Sequence, residues 1–397
     1  MKWASSISTQ STIDKCIAET TALVREQLGG LEAHLTVLFV SPHFKEKYSL
    51  IPSLLSEQMA PGLLLGCSGG GIIGGGREVE HKPAFSITCA HLPNVEIQSI
   101  QTDTLNLPDP DTAPSVWREW LGVDVQKNPQ FILMADPFSF RGEEFLSGLD
   151  FAYPNASKVG GLASGANSAG GNALYLGDKI FSSGLVGVAL TGDIELDTIV
   201  AQGCRPIGKP MSITQCEHTL LQQVDGKPPL EVLEAMAETL NEADRKLLQT
   251  ALFLGIEMDP LKDDPGQGDF LIRNLMGVDR NTGALSIGTL LRNGQLVQFH
   301  LRDKVMSAED LSRMLSKYRE KSASDQAQGA LLFSCLGRGE HLYGTPNHDS
   351  DLFKSKLGDM PLGGFFCNGE IGPVGKTTFL HGYTSSFGIF RPGNARS

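Results

Sequence analysis

Apolar positions at Ile13, Cys16 or Ile17, Leu23, Val24 and Leu28 recur at helical spacing. Ser11 and Asp14 stand ahead of them at capping-box distance, so the pattern predicts a helix from Ser11 to Leu28. Gly29-Gly30 supplies the left-handed stop that such a helix needs. The run from His34 to Val40 is strand-length and rich in branched residues, which predicts a buried strand.

This strand opens a pattern that returns along the chain. Thr36 to Val40 leads, across a helix-length segment, to Leu63-Leu64-Leu65-Gly66 and a glycine-rich turn. Phe131 to Ala135 leads likewise to Val159-Gly160-Gly161, and Leu331 to Phe333 leads to Leu362-Gly363-Gly364. Val37 and Gly66 are 29 residues apart, as are Ile132 and Gly161; Leu331 and Gly364 are 33 apart. A further strand follows each turn, at Ala84 to Cys89, Leu185 to Leu190 and Ser385 to Phe390. The turns Gly66-Cys67-Ser68-Gly69-Gly70-Gly71-Ile72-Ile73-Gly74 and Gly364-Phe365-Phe366-Cys367-Asn368-Gly369-Glu370-Ile371-Gly372 share glycine and isoleucine positions. A strand–helix–strand–strand unit used repeatedly is the economical reading. The fold class expected is therefore α/β, with two related halves whose mixed sheets are covered by helices.

Between the second and third copies the pattern changes. Leu230 to Leu254 has helical spacing, whereas Phe270-Leu271-Ile272-Arg273 and Leu285 to Gly288 read as strands around a turn at Asp279 to Gly283. Leu296 to Leu301 follows the turn signal Asn293-Gly294. Ser307 to Glu320 is a predicted helix with Ser307 and Asp310 as its capping box. The prolines at 108, 110 and 114 mark a surface loop. The easiest domain boundary lies between Asp193 and Pro210, which divides the chain into residues 1–200 and 201–397.

Composition narrows the function classes. Glycine, at 45 of 397 residues, exceeds ordinary usage. The net charge of −12 opposes broad nucleic-acid binding, which needs a basic face. Apolar runs are all strand-length, so no membrane span is expected. The N-terminus lacks the apolar core of a signal peptide, and seven scattered cysteines show no Cys-x-x-Cys pair. Together these predict reduced thiols and a cytoplasmic location.

Several segments carry candidate chemistry. Gly372-Pro373-Val374-Gly375-Lys376-Thr377 resembles a phosphate-binding loop but has Glu370 where the first glycine belongs, which excludes it. The turn at Gly66 to Gly76 runs into strand rather than helix, which opposes a dinucleotide site; no cofactor is expected. His341, His348, Asp349 and Asp351 match no metal spacing, so no metal is expected either. Cys67 and Cys367 lie in amide-rich turns that could activate a thiol, with His81, His91, His341 and His381 available as bases. They occupy unequal positions in the repeat, and small buried thiols are the plainer reading. Arg338 follows a strand directly, between Gly337 and Gly339, and a guanidinium suits bidentate capture of a carboxylate. It reads either as a ligand anchor or as a surface arginine in a tight turn. Glu370, opposite Ile72 in the repeat, either binds an amine or caps its own loop.

These residues also carry a family resemblance. Gly66-Cys67-Ser68, Phe270 to Arg273 ahead of Gly283-Ala284-Leu285, Gly337-Arg338-Gly339, Gly364 to Pro373, and Phe379 to Thr384 resemble, in that order, the FIST N-terminal and C-terminal regions. The resemblance spans about Ile13 to Phe390 and assigns residues 1–200 to the first region and 201–397 to the second. It implies a sensory module binding a small ligand, with an amino acid the leading candidate, as found in bacterial signalling proteins and an F-box subunit. No kinase, cyclase, methyl-accepting or F-box segment is visible, so output is expected from a signalling protein partner, from self-association or from chemistry of its own. The ligand-binding residues implied are Arg338, Arg273, Glu370, Asn368, Cys67 and Ser68. An adaptor for protein partners and a cysteine-dependent enzyme using Cys67 or Cys367 are the alternatives.

Overall fold

The computed structural model describes every residue except 104, 105, 110, 322–325 and 394–397. Pro110 of the expected proline-rich loop therefore lies outside the described residues. The first repeat comprises β1 (Lys2–Ser8), α1 (Ile13–Leu28), β2 (Leu35–Val40), α2 (Ile51–Gln58), β3 (Leu63–Ser68), the hairpin β4 (Gly71–Gly74) and β5 (Arg77–Glu80), and β6 (Phe85–His91). The second comprises β7 (Val95–Thr102), α3 (Pro114–Leu121), β8 (Gln130–Ala135), α4 (Gly142–Ala152), β9 (Lys158–Leu162), the hairpin β10 (Leu174–Leu176) and β11 (Lys179–Phe181), and β12 (Leu185–Gly192).

The third repeat begins with β13 (Glu195–Gln202) and is then interrupted. The inserted segment holds β14 (Cys204–Glu217), β15 (Leu220–Val224), α5 (Pro229–Thr239), α6 (Glu242–Thr250), β16 (Leu252–Glu257), β17 (Phe270–Val278), β18 (Leu285–Ile287) and β19 (Leu296–Arg302). The repeat resumes with α7 (Lys304–Arg319), β20 (Gly329–Cys335), α8 (Gly339–Tyr343), α9 (His348–Leu357), β21 (Leu362–Cys367), the hairpin β22 (Glu370–Val374) and β23 (Thr377–His381), and β24 (Thr384–Arg391).

Three six-stranded sheets share one strand order: β1-β6-β2-β3-β10-β11, β7-β12-β8-β9-β22-β23 and β13-β24-β20-β21-β4-β5. Each sheet is completed by a hairpin from another repeat, so the hairpins are exchanged in a cycle. The expected α/β class, with mixed sheets and a repeated strand–helix–strand–strand unit, is the architecture observed. In each repeat the two strands flanking the crossover helix run parallel, as such a connection requires.

The registers correct one alignment. Leu38 faces Gly66, Leu133 faces Gly160, and Leu332 faces Gly364. The middle equivalent is therefore Gly160, one residue before the expected Gly161. A Cβ at any of the three would collide with the carbonyl oxygen of its partner, which is why glycine stands there.

The inner sheet faces meet in a core that includes Val37, Phe39, Ile132, Met134, Phe333 and Phe365, with Phe39 stacked on Phe365 at 4.8 Å. A second cluster joins residues of α1 and α2, such as Ile17, Val24 and Leu55, to the opposite side of β2 and β6. Burial on both faces explains why these strands read as continuous apolar runs rather than alternating ones.

Two helix starts differ from expectation. The N-cap of α1 is Thr12, without a side-chain capping bond, rather than Ser11. The α7 helix begins three residues early, because Asp303 Oδ1 accepts the Val305 N–H at 2.8 Å. Ser307 donates instead to the Gly203 carbonyl.

The inserted strands close into a barrel in the order β14-β15-β18-β17-β16-β19, filled by Ile213, Leu221, Leu254, Leu285, Val297 and Phe299. Two compact units result: Met1–Val200, Leu311–Leu380 and Thr384–Ser397 form one, and Ala201–Asp310 with His381–Tyr383 form the other. Among the described residues no helix is long and apolar enough to cross a membrane.

Candidate functional site

Within the repeat unit, the carboxyl ends of the three parallel strand pairs run into three turns that hydrogen-bond to one another. Ser164 N–H donates to the Ser68 carbonyl at 3.1 Å, and Gly70 N–H donates to Ser164 Oγ at 2.9 Å. Ser164 Oγ in turn donates to the Phe366 carbonyl. Asn368 donates through its backbone to Leu162 and through Nδ2 to the Ala163 carbonyl, both at 3.1 Å. The glycine turns of the first and third repeats are thus direct neighbours, and β4 pairs with β21 through Gly71 and Phe366. Small residues are required here because a Cβ at Gly69 or Gly71 would press on Phe365 or Phe366.

Cys67, Ser68 and Asn368 all belong to this hub. Ser68 is buried, donating to Asn172 Oδ1 at 3.2 Å and accepting from Ala173 N–H at 3.0 Å. Asn368 is exposed. Cys67 and Cys367 are fully buried, and burial pushes both thiols well above their ordinary range. Neither is the accessible, acidified thiol that nucleophilic catalysis uses.

Arg338 lies just beyond the hub and is fully buried, where its glycine neighbours were expected to leave it unobstructed. Its Nε donates to Asp349 Oδ2 at 2.9 Å and its Nη2 to Asp349 Oδ1 at 3.1 Å, so the bidentate fork is closed internally. Nη2 also donates to Tyr343 Oη at 2.6 Å, and that ring stacks on His348 at 3.5 Å. Asp349 further accepts from Ser334 and Ser385. Burial alone would raise the Asp349 pKa; the Arg338 guanidinium and these hydrogen bonds hold it well below the usual carboxylate range. Gly339 has its own reason to be glycine. It adopts φ +66°, and a Cβ would strike the Glu80 carboxylate, which accepts the Glu340 N–H at 2.8 Å.

Glu78 joins the same network from β5. Its Oε1 accepts both the backbone N–H and the hydroxyl of Ser350, at 2.7 and 2.8 Å. Burial, reinforced by the Asp349 charge, pushes its carboxyl up to about 8. Two buried atoms of this network make no hydrogen bond among the described residues: Arg338 Nη1, a donor, and Glu78 Oε2, which becomes an acceptor when the carboxyl ionises. Glu78 was not singled out in the sequence, where it reads as one charge in a polar edge strand.

Glu370 lies elsewhere, on β22. Its Oε2 accepts the Thr384 N–H at 3.1 Å and the Thr384 hydroxyl at 2.8 Å, at the start of β24. Arg273 is on β17 in the barrel unit, where its Nη1 donates to the Ile272 carbonyl at 3.3 Å. The barrel holds another arginine that sequence reasoning passed over: Arg302, the last residue of β19. Its position directly after Leu296 to Leu301 is the signal that could have found it.

Comparison with known proteins bears on the whole chain. The FIST N domain matches residues 34–227 and the FIST C domain matches residues 232–373. An uncharacterized protein of Mycobacterium tuberculosis is 34% identical over 384 residues, covering 97% of this chain and 98% of that protein. An F-box/LRR-repeat protein of Arabidopsis thaliana is 32% identical over 115 residues, covering 25% of this chain and 22% of that protein. Among solved structures, a cyanuric acid hydrolase from A. caulinodans aligns over 99% of both chains at 8% identity with a TM-score of 0.31, too weak a likeness to carry any argument. FIST domains are generally thought to be small-ligand-binding sensory domains. With both domain types matched along its length and a relative of similar size and order, the chain belongs to the FIST family.

Proposed function

We propose that this protein is a cytosolic sensor that binds a small ligand, an amino acid fitting best, and passes the signal to a protein partner. The observation that carries the reading is the complementary pair of free valences at Arg338 Nη1 and Glu78 Oε2. A buried donor and a buried acceptor without partners are each costly, by roughly 1–3 kcal/mol. They persist in one hydrogen-bonded network beside the turns at the strand ends, where open α/β sheets bind their ligands. An α-carboxylate would take the Arg338 donor, and an α-ammonium would draw the proton off the Glu78 carboxyl and take the ionised Oε2 as its acceptor. The polar hub of Ser68, Ser164 and Asn368 would then meet the ligand's remaining atoms. Burial of Cys67 and Cys367 argues against the cysteine-dependent alternative.

The test is a thermal-shift screen with amino acids and with analogues lacking either the amine or the carboxylate. A ligand that binds only the folded state raises the melting temperature by mass action. The best ligand should lose at least tenfold in affinity on Glu78→Gln, which preserves shape and the Ser350 contacts. An amino acid bound equally by wild type and Glu78→Gln would contradict the assignment.

A further inference from the structure

The barrel unit contains a guanidinium whose situation is the reverse of that of Arg338. Arg302 Nε and Nη2, the two donors on one edge of the group, are both buried, and neither makes a hydrogen bond among the described residues. That edge is the fork that matches the two oxygens of a carboxylate. The guanidinium carbon lies 4.9 Å from the centroid of the Tyr383 ring, a cation–π arrangement that fixes its plane.

Tyr383 is held as a platform. Its ring packs on Phe253 at 4.3 Å, and its hydroxyl donates to Asn274 Oδ1. Its backbone has φ +69°, a region that a bulky L residue rarely adopts. Strain of this kind concentrates where geometry serves binding.

The same unit holds two buried acceptors without partners among the described residues. His300, two residues before Arg302, projects from the same face of β19. Its Nδ1 lies 3.0 Å from the Gln298 carbonyl, and donating there leaves Nε2 as a bare acceptor; that atom is buried and has no partner among the described residues. Burial holds the ring neutral, with its pKa down to about 4. Gln202 donates through Nε2 to the Phe270 carbonyl at 3.0 Å, which leaves its Oε1 buried and likewise without a partner. The Phe270 ring lies 5.3 Å from that of His300.

We infer that Arg302, seated on Tyr383, with His300 two residues earlier on the same strand face and Gln202 two residues before its register partner Cys204, forms a second ligand site that takes a small carboxylic acid bearing a hydrogen-bond donor, such as a hydroxy or amino acid. The carboxylate occupies the Nε and Nη2 fork, and the ligand's O–H or N–H turns to His300 Nε2 and Gln202 Oε1. This site shares no residue with the Arg338 and Glu78 network and stands independently of it.

Ligand-observed NMR on the full chain tests the assignment, with glycine, glycolate, acetate and inorganic phosphate as probes. It is run in wild type, Arg302→Lys, Arg302→Met and Glu78→Gln. Glycine and glycolate should bind better than acetate, and phosphate should not compete with them. Arg302→Lys keeps the charge but loses the fork, and should weaken glycolate at least tenfold; Glu78→Gln should leave glycolate unchanged. Arg302→Met removes a half-buried guanidinium whose fork has no partner among the described residues while filling its place on Tyr383, so it should abolish glycolate binding without lowering the melting temperature. Unchanged glycolate affinity in Arg302→Lys would overturn the inference. So would phosphate displacing glycolate, or a melting temperature that falls in Arg302→Met. Glycine surviving in Arg302→Met but lost in Glu78→Gln would assign it to the repeat unit, and then loss of glycolate alone supports the barrel site.

Discussion

Arg338 in the repeat unit and Arg302 in the barrel both stand at the carboxyl end of a strand, yet their guanidinium groups are treated in opposite ways. Arg338 gives its fork to Asp349, within a network that ties β5, α8, α9 and β24 together through Glu78, Tyr343, Ser350 and Ser385. Among the described residues Arg302 Nε and Nη2 have no hydrogen-bond partner, and the guanidinium lies over an aromatic face. A closed fork is a structural tie with one donor to spare; an open one is the feature on which the proposed barrel site rests. The difference shows that the type of residue at a strand end decides less than which acceptor the tertiary fold brings to it.

The largest effect expected from this contrast follows loss of the tie. Asp349→Ala leaves Arg338 as an uncompensated buried charge, and should cost about 3–5 kcal/mol in a urea unfolding experiment. A loss below about 1 kcal/mol, the range of an exposed pair, would place Arg338 at the surface and dissolve the contrast.

The dependence of stability on pH sharpens the comparison, because Glu78 in one region and His300 in the other are displaced in opposite directions. Between about 4.5 and about 8 the unfolded chain has released the Glu78 proton while the folded chain retains it, so Glu78 makes stability fall as pH rises through that window. Between about 4 and 6.5 the unfolded chain binds a proton that folded His300 refuses, so stability contributed by His300 is lost as pH falls through that window. Unfolding midpoints measured across pH should lose their decline toward alkaline pH in Glu78→Gln. The decline toward acid pH should weaken in His300→Gln. Identical profiles in all three proteins would show that neither group is displaced.

The smallest effect concerns the thiols. Cys216 and Cys335 are half-buried and the other five cysteines are buried, so a thiol reagent should label those two first and reach Cys67 and Cys367 only on unfolding. Cys67→Ser should change ligand affinity by less than tenfold, equivalent to about 1.4 kcal/mol. Rapid labelling of Cys67 in the folded protein would reopen the enzymatic reading.

Much of the fold was legible because burial on both faces leaves long apolar runs, and because parallel strands in close approach demand glycine. The matched turns at Gly66 and Gly364 therefore announced themselves. The middle copy misled by one residue, since Gly160 and Gly161 are adjacent and only the register shows which one meets the Leu133 carbonyl. The cyclic exchange of hairpins left no local trace, because β4, β10 and β22 read as ordinary short strands wherever they pair. At the candidate sites, the Gly337-Arg338-Gly339 pattern suggested exposure, but Gly339 makes room for Glu80 and Asp349 closes the fork. Arg302 has no flanking glycine to mark it, and the ring beneath it comes from Tyr383, distant in sequence.

The most direct test of the central contrast is urea unfolding of Arg338→Met and Arg302→Met measured side by side. The first strands Asp349 without its partner and should lose about 3–5 kcal/mol; the second removes a half-buried guanidinium whose Nε and Nη2 have no partner among the described residues, and should remain within about 1 kcal/mol of wild type or exceed it. Comparable losses in the two variants would mean that Arg302 is tied into its unit as firmly as Arg338, and would contradict the account.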